Sequence, residues 1–219
     1  MKNKKLLFFV ILLFPALFKI ILEFTTINSR KLPYFGPKVL AGTDTVYYSA
    51  TDRFKKAGAS DSNLTEIRLD TVNYPLFAVC FIKQAYKKDN YRLAGLSEYA
   101  QYKKEKIKHI PFIIVTPYQG PADSSGFGAL SKLQEGNEDI LPLCWPASSF
   151  DSLNLLFFKN KPVYIDYSYF VLIDKNRHIR GYYDARYVSE IKRLTEEYQH
   201  MRLKEEKEKV IKINQIESK

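Results

Sequence analysis

The stretch "YPLFAVCFI" (74–82) is apolar from end to end, whereas a strand with one wet face alternates polar and apolar side chains. A continuous run of this length predicts a central strand covered on both sides. At Lys83 the run stops, and "QAYKKDNYRLAGLSEYAQYKKEKI" (84–107) sets Tyr86, Leu93, Leu96, Tyr99 and Ala100 on one helical face with charges elsewhere. "HIPFIIVTPY" (109–118) is a second buried strand. Strand, helix, strand predicts a parallel pair joined by a crossover helix.

Downstream, "QGPADSSGFG" is a loop and "ALSKLQEG" (129–136) a short helix. "DILPLCWPAS" (139–148) is a short apolar strand bounded by prolines, and "SFDSLNLLFFKN" another short helix. "YSYFVLID" (167–174), the turn "KNRH" and "IRGYYDA" (179–185) form a hairpin, in which Asp174 suits the turn and Asn176 a positive φ. "SEIKRLTEEYQHM" (189–201) closes the domain as a helix with Ile191, Leu194 and Tyr198 on one side. A parallel pair with an added antiparallel hairpin and a closing helix is the thioredoxin arrangement. The expected fold is therefore α/β, with a thioredoxin-like domain over 46–200 and a charged helical tail over 201–219.

Upstream, "VYYSATDRF" (46–54) and "LTEIRLD" (64–70) read as strands, and residues 25–45, with Pro33, Gly36, Pro37 and Gly42, as a tether. Before the tether, "MKNKKLLFFVILLFPALFKIILEF" carries Lys2, Lys4 and Lys5 and then an apolar run from Leu6 to Leu22 broken by Lys19. As a helix this run is about 25 Å long, against roughly 30 Å of bilayer hydrocarbon, so its flanks must extend the reach. Lys19 can snorkel to the head groups, and a membrane helix tolerates Pro15. A cleaved signal peptide also starts this way, but no small-x-small cleavage site follows. The reading adopted is an uncleaved transmembrane anchor over 6–24, with residues 1–5 cytoplasmic and the remainder extracytoplasmic by the positive-inside rule.

A formal net charge of +10 is scattered among lysines and forms no basic block with aromatic platforms, which argues against nucleic-acid binding. Two cysteines make no disulfide scaffold, and no Cys/His spacing matches a zinc site. The candidate thiols or copper ligands are Cys80, inside the apolar strand, and Cys144, in "LPLCWPA" beside Trp145. Core packing is the plain reading of both, because unpaired cysteine is among the most buried residue types. A bridge between them, or one Cu(I) held by both, stays open, since sequence does not fix their separation. His178 reads as a solvated turn residue, His109 as a strand start and His200 as a helix end. Asp166 is a lone acid, and Tyr164, Tyr167, Tyr169, Tyr182 and Tyr183 form either a contact surface or cross-strand aromatic pairs, the reading preferred here.

The C-terminal stretch "YFVLIDKNRHIRGYYDARYVSEIKRLTEEYQHMRLKEE" resembles the end of the Sco/SenC family, and the N-terminal anchor followed by "LPYFGPK" and "GTDTVYY" resembles its beginning. Members of that family are membrane-anchored thioredoxin-like proteins that deliver copper to respiratory oxidases. The resemblance implies a cysteine pair, with three residues between, just after the first core strand, and a histidine just before the hairpin. Soft sulfur suits Cu(I), and imidazole accepts Cu(II). Here "KQAYKKD" follows the strand, and Tyr167 stands at the histidine's position. The expectation is thus an assembly or binding protein without the copper site, not an enzyme, whose partners are the membrane and a protein such as a respiratory-complex subunit. The alternative is a copper-handling or thiol-redox protein that uses Cys80 or Cys144.

Overall fold

The computed structural model describes residues 13–15, 17–20, 32–57, 64–69, 74–83, 90–118, 137–158 and 168–217. The chain divides into two units, Met1–Leu32 and Pro33–Lys219. In the first, residues 13–15 and 17–20 are helical, and the Phe14 and Phe18 rings, one turn apart, lie 6.3 Å from each other. Among the described residues no helix is long and apolar enough to cross a membrane. The rest of the 6–24 segment lies outside the described residues.

The second unit is built on the run that opened the sequence. Phe77–Phe81 is β5, and all five of its residues are buried, as a strand covered on both faces must be. It lies parallel to β6, Phe112–Tyr118, with Ala78 opposite Phe112 and Phe81 opposite Val115. On its other edge it runs antiparallel to β8, Tyr169–Ile173, which turns back into β9, Ile179–Asp184. β7, Ile140–Pro146, extends the sheet beyond β6 in parallel. The antiparallel pair β3, Arg53–Ala57, and β4, Leu64–Arg68, completes the order β4-β3-β7-β6-β5-β8-β9. Within it, β6-β5-β8-β9 with a crossover helix and a closing helix is the thioredoxin-like arrangement.

The pleat sorts the core into two layers. Phe77, Val79 and Phe81 of β5 join Ile113, Val115, Leu143, Val171 and Ile173 on one face. There α3, Phe150–Phe157, supplies Phe150, Leu153 and Phe157. The residues between them in sequence, Ala78, Cys80, Phe112, Ile114, Phe170 and Leu172, are equally buried on the opposite face. That face belongs to α1, Ala94–Tyr102, and α4, Val188–Glu217, whose Leu96, Tyr99, Ile191, Leu194 and Tyr198 are buried. The Tyr99 and Thr195 hydroxyls lie 3.3 Å apart where the two helices meet. Gly95 allows that approach: a Cβ there would come within 2.4 Å of the Tyr187 backbone.

Several expectations change in detail. The single helix over 84–107 is, where described, a 3-10 turn (Asn90–Leu93), α1, and a short α2, Lys104–Ile107. It breaks at Lys103, because "QYKKEK" offers nothing apolar but Tyr102, itself exposed, to hold that stretch against the sheet. The closing helix continues without interruption to Glu217, so His200 lies within it rather than at its end. The 129–136 helix lies outside the described residues.

The tether also differs. Across its end, Lys38–Ala41 (β1) and Asp44–Tyr47 (β2) form an antiparallel hairpin that runs two residues past it. Gly42, at φ +67°, makes the turn that the sequence left unassigned. The strand read over 46–54 is split, because Ser49 bridges His178 and the Ala50 N–H donates to the Arg177 carbonyl at 2.7 Å. These two contacts turn the chain between β2 and β3.

Candidate functional site

Cys80 and Cys144 are both buried, at 0 % and 1 % exposure, and neither belongs to a disulfide. Cys80 stands opposite Ile114 on one side and Phe170 on the other. Ile114 in turn stands opposite Pro142, so Cys144, opposite Thr116, lies two strands over and two residues further along. The two thiols share a sheet face. Spacings of about 4.8 Å per strand and 3.3 Å per residue put their Cα atoms roughly 12 Å apart, whereas a disulfide needs them within about 7 Å. The structure does not bring the two sulfurs together, and β6 runs between them.

In a thioredoxin-like fold, thiol chemistry belongs where the first core strand gives way to its helix. β5 ends there at Phe81, and β8 begins at the same edge of the sheet with Tyr169. The described groups at this edge are ionic and aromatic. Lys83 pairs with Asp151 at 2.8 Å, with both side chains more than half exposed. Arg92 donates to the Ser168 hydroxyl at 3.0 Å, and the Ser168 carbonyl accepts the Ala185 N–H. Asp184, opposite Tyr169, accepts Arg186 Nε and Nη2 at 2.8 and 2.6 Å. Tyr167, Asp166 and Tyr164, with the 84–89 segment, lie outside the described residues.

Burial pushes the Asp184 carboxyl upward, but the Arg186 hydrogen bonds and charge outweigh it and leave the group below its ordinary range. Burial, then Asp184, raises the Tyr169 phenol. A carboxyl depressed in the folded state stabilises the fold above its unfolded pKa, and that contribution is lost as pH falls through the folded value. Urea unfolding of the R186M variant is therefore expected to show a flatter loss of stability below about pH 4 than the parent chain. Coincident acid limbs would show that Arg186 does not hold Asp184.

The tyrosines do not form one surface. Tyr182 and Tyr183 are successive in β9 and point to opposite faces. Tyr182 packs on Phe35 and Phe158, and burial, then Tyr48, pushes its phenol up to about 12. Tyr183 donates to Glu197 of α4 and stands opposite Phe170, a cross-strand aromatic pair.

The histidines sit away from the thiols. His178 is enclosed rather than solvated: the Tyr34 and Tyr47 rings approach edge-on at 5.4 and 5.8 Å, and its Nδ1 is 3.6 Å from Asp174 Oδ2. This enclosure comes from residues over 130 positions away, beyond what a local pattern carries. The left-handed residue in that turn is Arg177, at φ 65°, and not Asn176, because Asp174 Oδ1 accepts the Asn176 and His178 N–H groups at 2.9 Å each. His109 is likewise left-handed, at φ 68°; its N–H donates to Asp139 at 2.7 Å and its carbonyl accepts the Tyr198 hydroxyl at 3.2 Å. With Glu105, Lys108 and Glu138 it lines an open cleft of about 500 Å³ at the amino ends of β6 and β7. Among the described residues no three His, Cys, Asp or Glu side chains are grouped to hold a metal ion.

No protein-family model matches the chain. No curated protein matches it in sequence. Several solved structures share its outline. A SCO1/SenC family lipoprotein from Bacillus anthracis is 14% identical, with 69% of this chain and 96% of that chain covered and a TM-score of 0.43. Sco/SenC proteins are among its structural neighbours. Copper-bound ScoI from Bradyrhizobium japonicum is 13% identical over 68% of this chain and 99% of that one, with a TM-score of 0.43. A putative protein disulfide isomerase from Bacteroides thetaiotaomicron reaches 9% identity, 78% and 94% coverage and a TM-score of 0.44. The thioredoxin-like assignment rests on the strand order and layers described above, not on these likenesses.

Proposed function

We propose that this protein is a membrane-anchored, extracytoplasmic thioredoxin-fold protein that binds and holds a protein partner during assembly, such as a respiratory-complex subunit, without a copper site. The 6–24 segment serves as the anchor, and the lysines before it keep the N-terminus in the cytoplasm. The observation that carries the copper-free reading is the placement of sulfur. Both thiols are sealed in the sheet interior on separate strands, and the stretch after β5, "KQAYKKD", contains three amines, one amide, a phenol and a carboxylate but neither sulfur nor imidazole. Those residues do not fit a soft copper ion.

The test uses the full chain in detergent. Titration with Cu(I) against a competing chelator is expected to show no stoichiometric uptake, and native alkylation of Cys80 and Cys144 is expected to be slow. For a domain stable by 5 kcal/mol or more, a buried thiol that reacts only through global opening labels at least about 10³-fold slower than in the unfolded chain. Stoichiometric, sub-micromolar Cu(I) binding would overturn the copper-free reading. Fast labelling of either thiol would replace it with a thiol-redox one. Co-purification of an oxidase subunit from solubilised membranes is the expected positive result of the assembly role.

A further inference from the structure

The large sheet ends on β9 at one side and on β4 at the other, and the two edges are finished differently. Along β9, the Phe35 N–H donates to the Ile179 carbonyl and Arg193 Nη2 to the Tyr182 carbonyl, each at 3.0 Å. Among the described residues no strand lies beyond β4, and its Thr65, Glu66 and Arg68 are exposed. A strand edge of this kind is a template for another strand. The register shows what it offers. The Leu69 N–H donates to the Asp52 carbonyl at 3.0 Å, one step beyond the Arg53–Arg68 pair. Bonded and non-bonded pairs alternate along an antiparallel ladder, so Ile67 and Thr65 turn their backbone groups toward β3. Glu66 and Arg68 turn theirs outward. Their side chains share a face on which Glu66 stands opposite Lys55, and Arg68 opposite Arg53, a like-charge pair.

We infer that β4 pairs antiparallel with β4 of a second copy, about a two-fold axis at Ile67, so that the sheet continues across a dimer. The charge order selects both the occupant and the register. With Ile67 opposite its own copy, Glu66 stands opposite Arg68 of the second copy, and Arg68 opposite its Glu66. These are the residues whose backbone groups face outward, so each of the two pairs can exchange two hydrogen bonds. Shifting the register by two residues sets Glu66 against Glu66, or Arg68 against Arg68. Shifting it by one sets outward backbone groups against inward ones. On the other face, Ile67 stands opposite Phe54 and is partly buried against the core. At the axis it meets its copy and carries that core across the junction. A foreign strand would have to match this order of acid and cation, whereas a second copy carries it already. Five residues of strand make a small contact, so the pair is weak and concentration-dependent. The inference concerns the domain edge and is independent of the proposed function.

The test uses the full chain in detergent, with micelles in excess of protein. Residues facing each other at a non-bonded position have Cα atoms about 4.5 Å apart, within disulfide reach. Mild oxidation of I67C is therefore expected to give a covalent dimer. T65C is expected to give none, because its two copies lie about 14 Å apart in this register. The parent chain, whose Cys80 and Cys144 are buried, gives the background. Equal yields from I67C and T65C would mark random collision and overturn the inference, as would the absence of an I67C dimer at about 0.5 mM protein. Charge reversal tests the register. In the I67C background, E66R and R68E are each expected to slow cross-linking about tenfold or more, since each sets like charges opposite twice. Mixed in equal amounts, the two variants oppose acid to cation again and are expected to recover the parent rate to within about threefold. A mixture as slow as its components would overturn the inference. Should I67C not fold, energy transfer between copies dyed at the N-terminal amine reads E66R, R68E and their mixture in the same way.

Discussion

F81A is expected to lower the unfolding free energy by about 3–5 kcal/mol, the range for deleting a buried phenylalanine. Phe81 is the last residue of β5 and is fully buried. Its ring meets Phe157 at 5.0 Å, Phe150 at 6.1 Å and Phe158 at 6.2 Å. Truncation removes three aromatic contacts, each worth about 0.5–1.5 kcal/mol beyond area, and leaves a cavity between the sheet and α3. The site has little means of collapsing, because Phe157 is also held by Phe54 at 6.0 Å and the strand that carries Phe81 lies between two paired strands. Against a total stability of about 5–15 kcal/mol, such a loss brings a domain of this size close to its threshold. Urea unfolding followed by circular dichroism, on the full chain in detergent, measures it, with F81L as the volume-sparing control. A loss under about 1 kcal/mol would mean that α3 does not pack as described.

The second large effect is expected at Asp174. This residue is 4 % exposed and its side chain serves four groups: Oδ1 accepts the N–H of Asn176 and of His178, Oδ2 accepts Arg180 Nη1 at 3.0 Å, and His178 Nδ1 lies 3.6 Å from Oδ2. D174A removes the acceptor of two backbone N–H groups and of Nη1 on the largely buried Arg180 guanidinium, which keeps its bond from Nε to the Pro33 carbonyl. Removing one partner of a buried pair costs about 3–5 kcal/mol. D174N keeps an amide oxygen for the two N–H groups and loses the charge, so it is expected to fall between D174A and the parent. The effect should also appear locally. Arg180 holds the Pro33 carbonyl and lies 4.0 Å from the Tyr34 ring centroid, and Arg177 accepts the Ala50 N–H and pairs with Asp52 at 3.3 Å. Hydrogen exchange over residues 33–50 is therefore expected to quicken more than exchange in β5 or β6. Uniform quickening would show that the turn does not tie the N-terminal segment to the domain.

The sites of these two predictions were not equally legible. The aromatic wealth of "LFAVCFI" and "LNLLFF" is visible in the sequence, and the four phenylalanines of these runs are core, whereas Leu155 and Leu156 are exposed. Asp174 suited the hairpin turn on local grounds, and it does shape that turn. Its grip on the N-terminal segment was not legible, because Pro33, Tyr34 and Ala50 are distant along the chain and carry no mark of their partner.

The order of elements is readable from the residues alone: an apolar run buried on both faces, a polar helical stretch, a second buried run, then a hairpin and a helix. Those are local signals, since burial on one or two faces is written in the periodicity of side chains. Long-range contacts fold the supposed tether into a hairpin, extend the sheet past β7 with β3 and β4, and enclose His178 between tyrosines, none of which a local pattern announces. The same contacts set the two thiols on one face with β6 between them. Strand order and register depend on contacts between residues far apart in the chain, and periodicity within a strand does not encode which neighbour it will pair with.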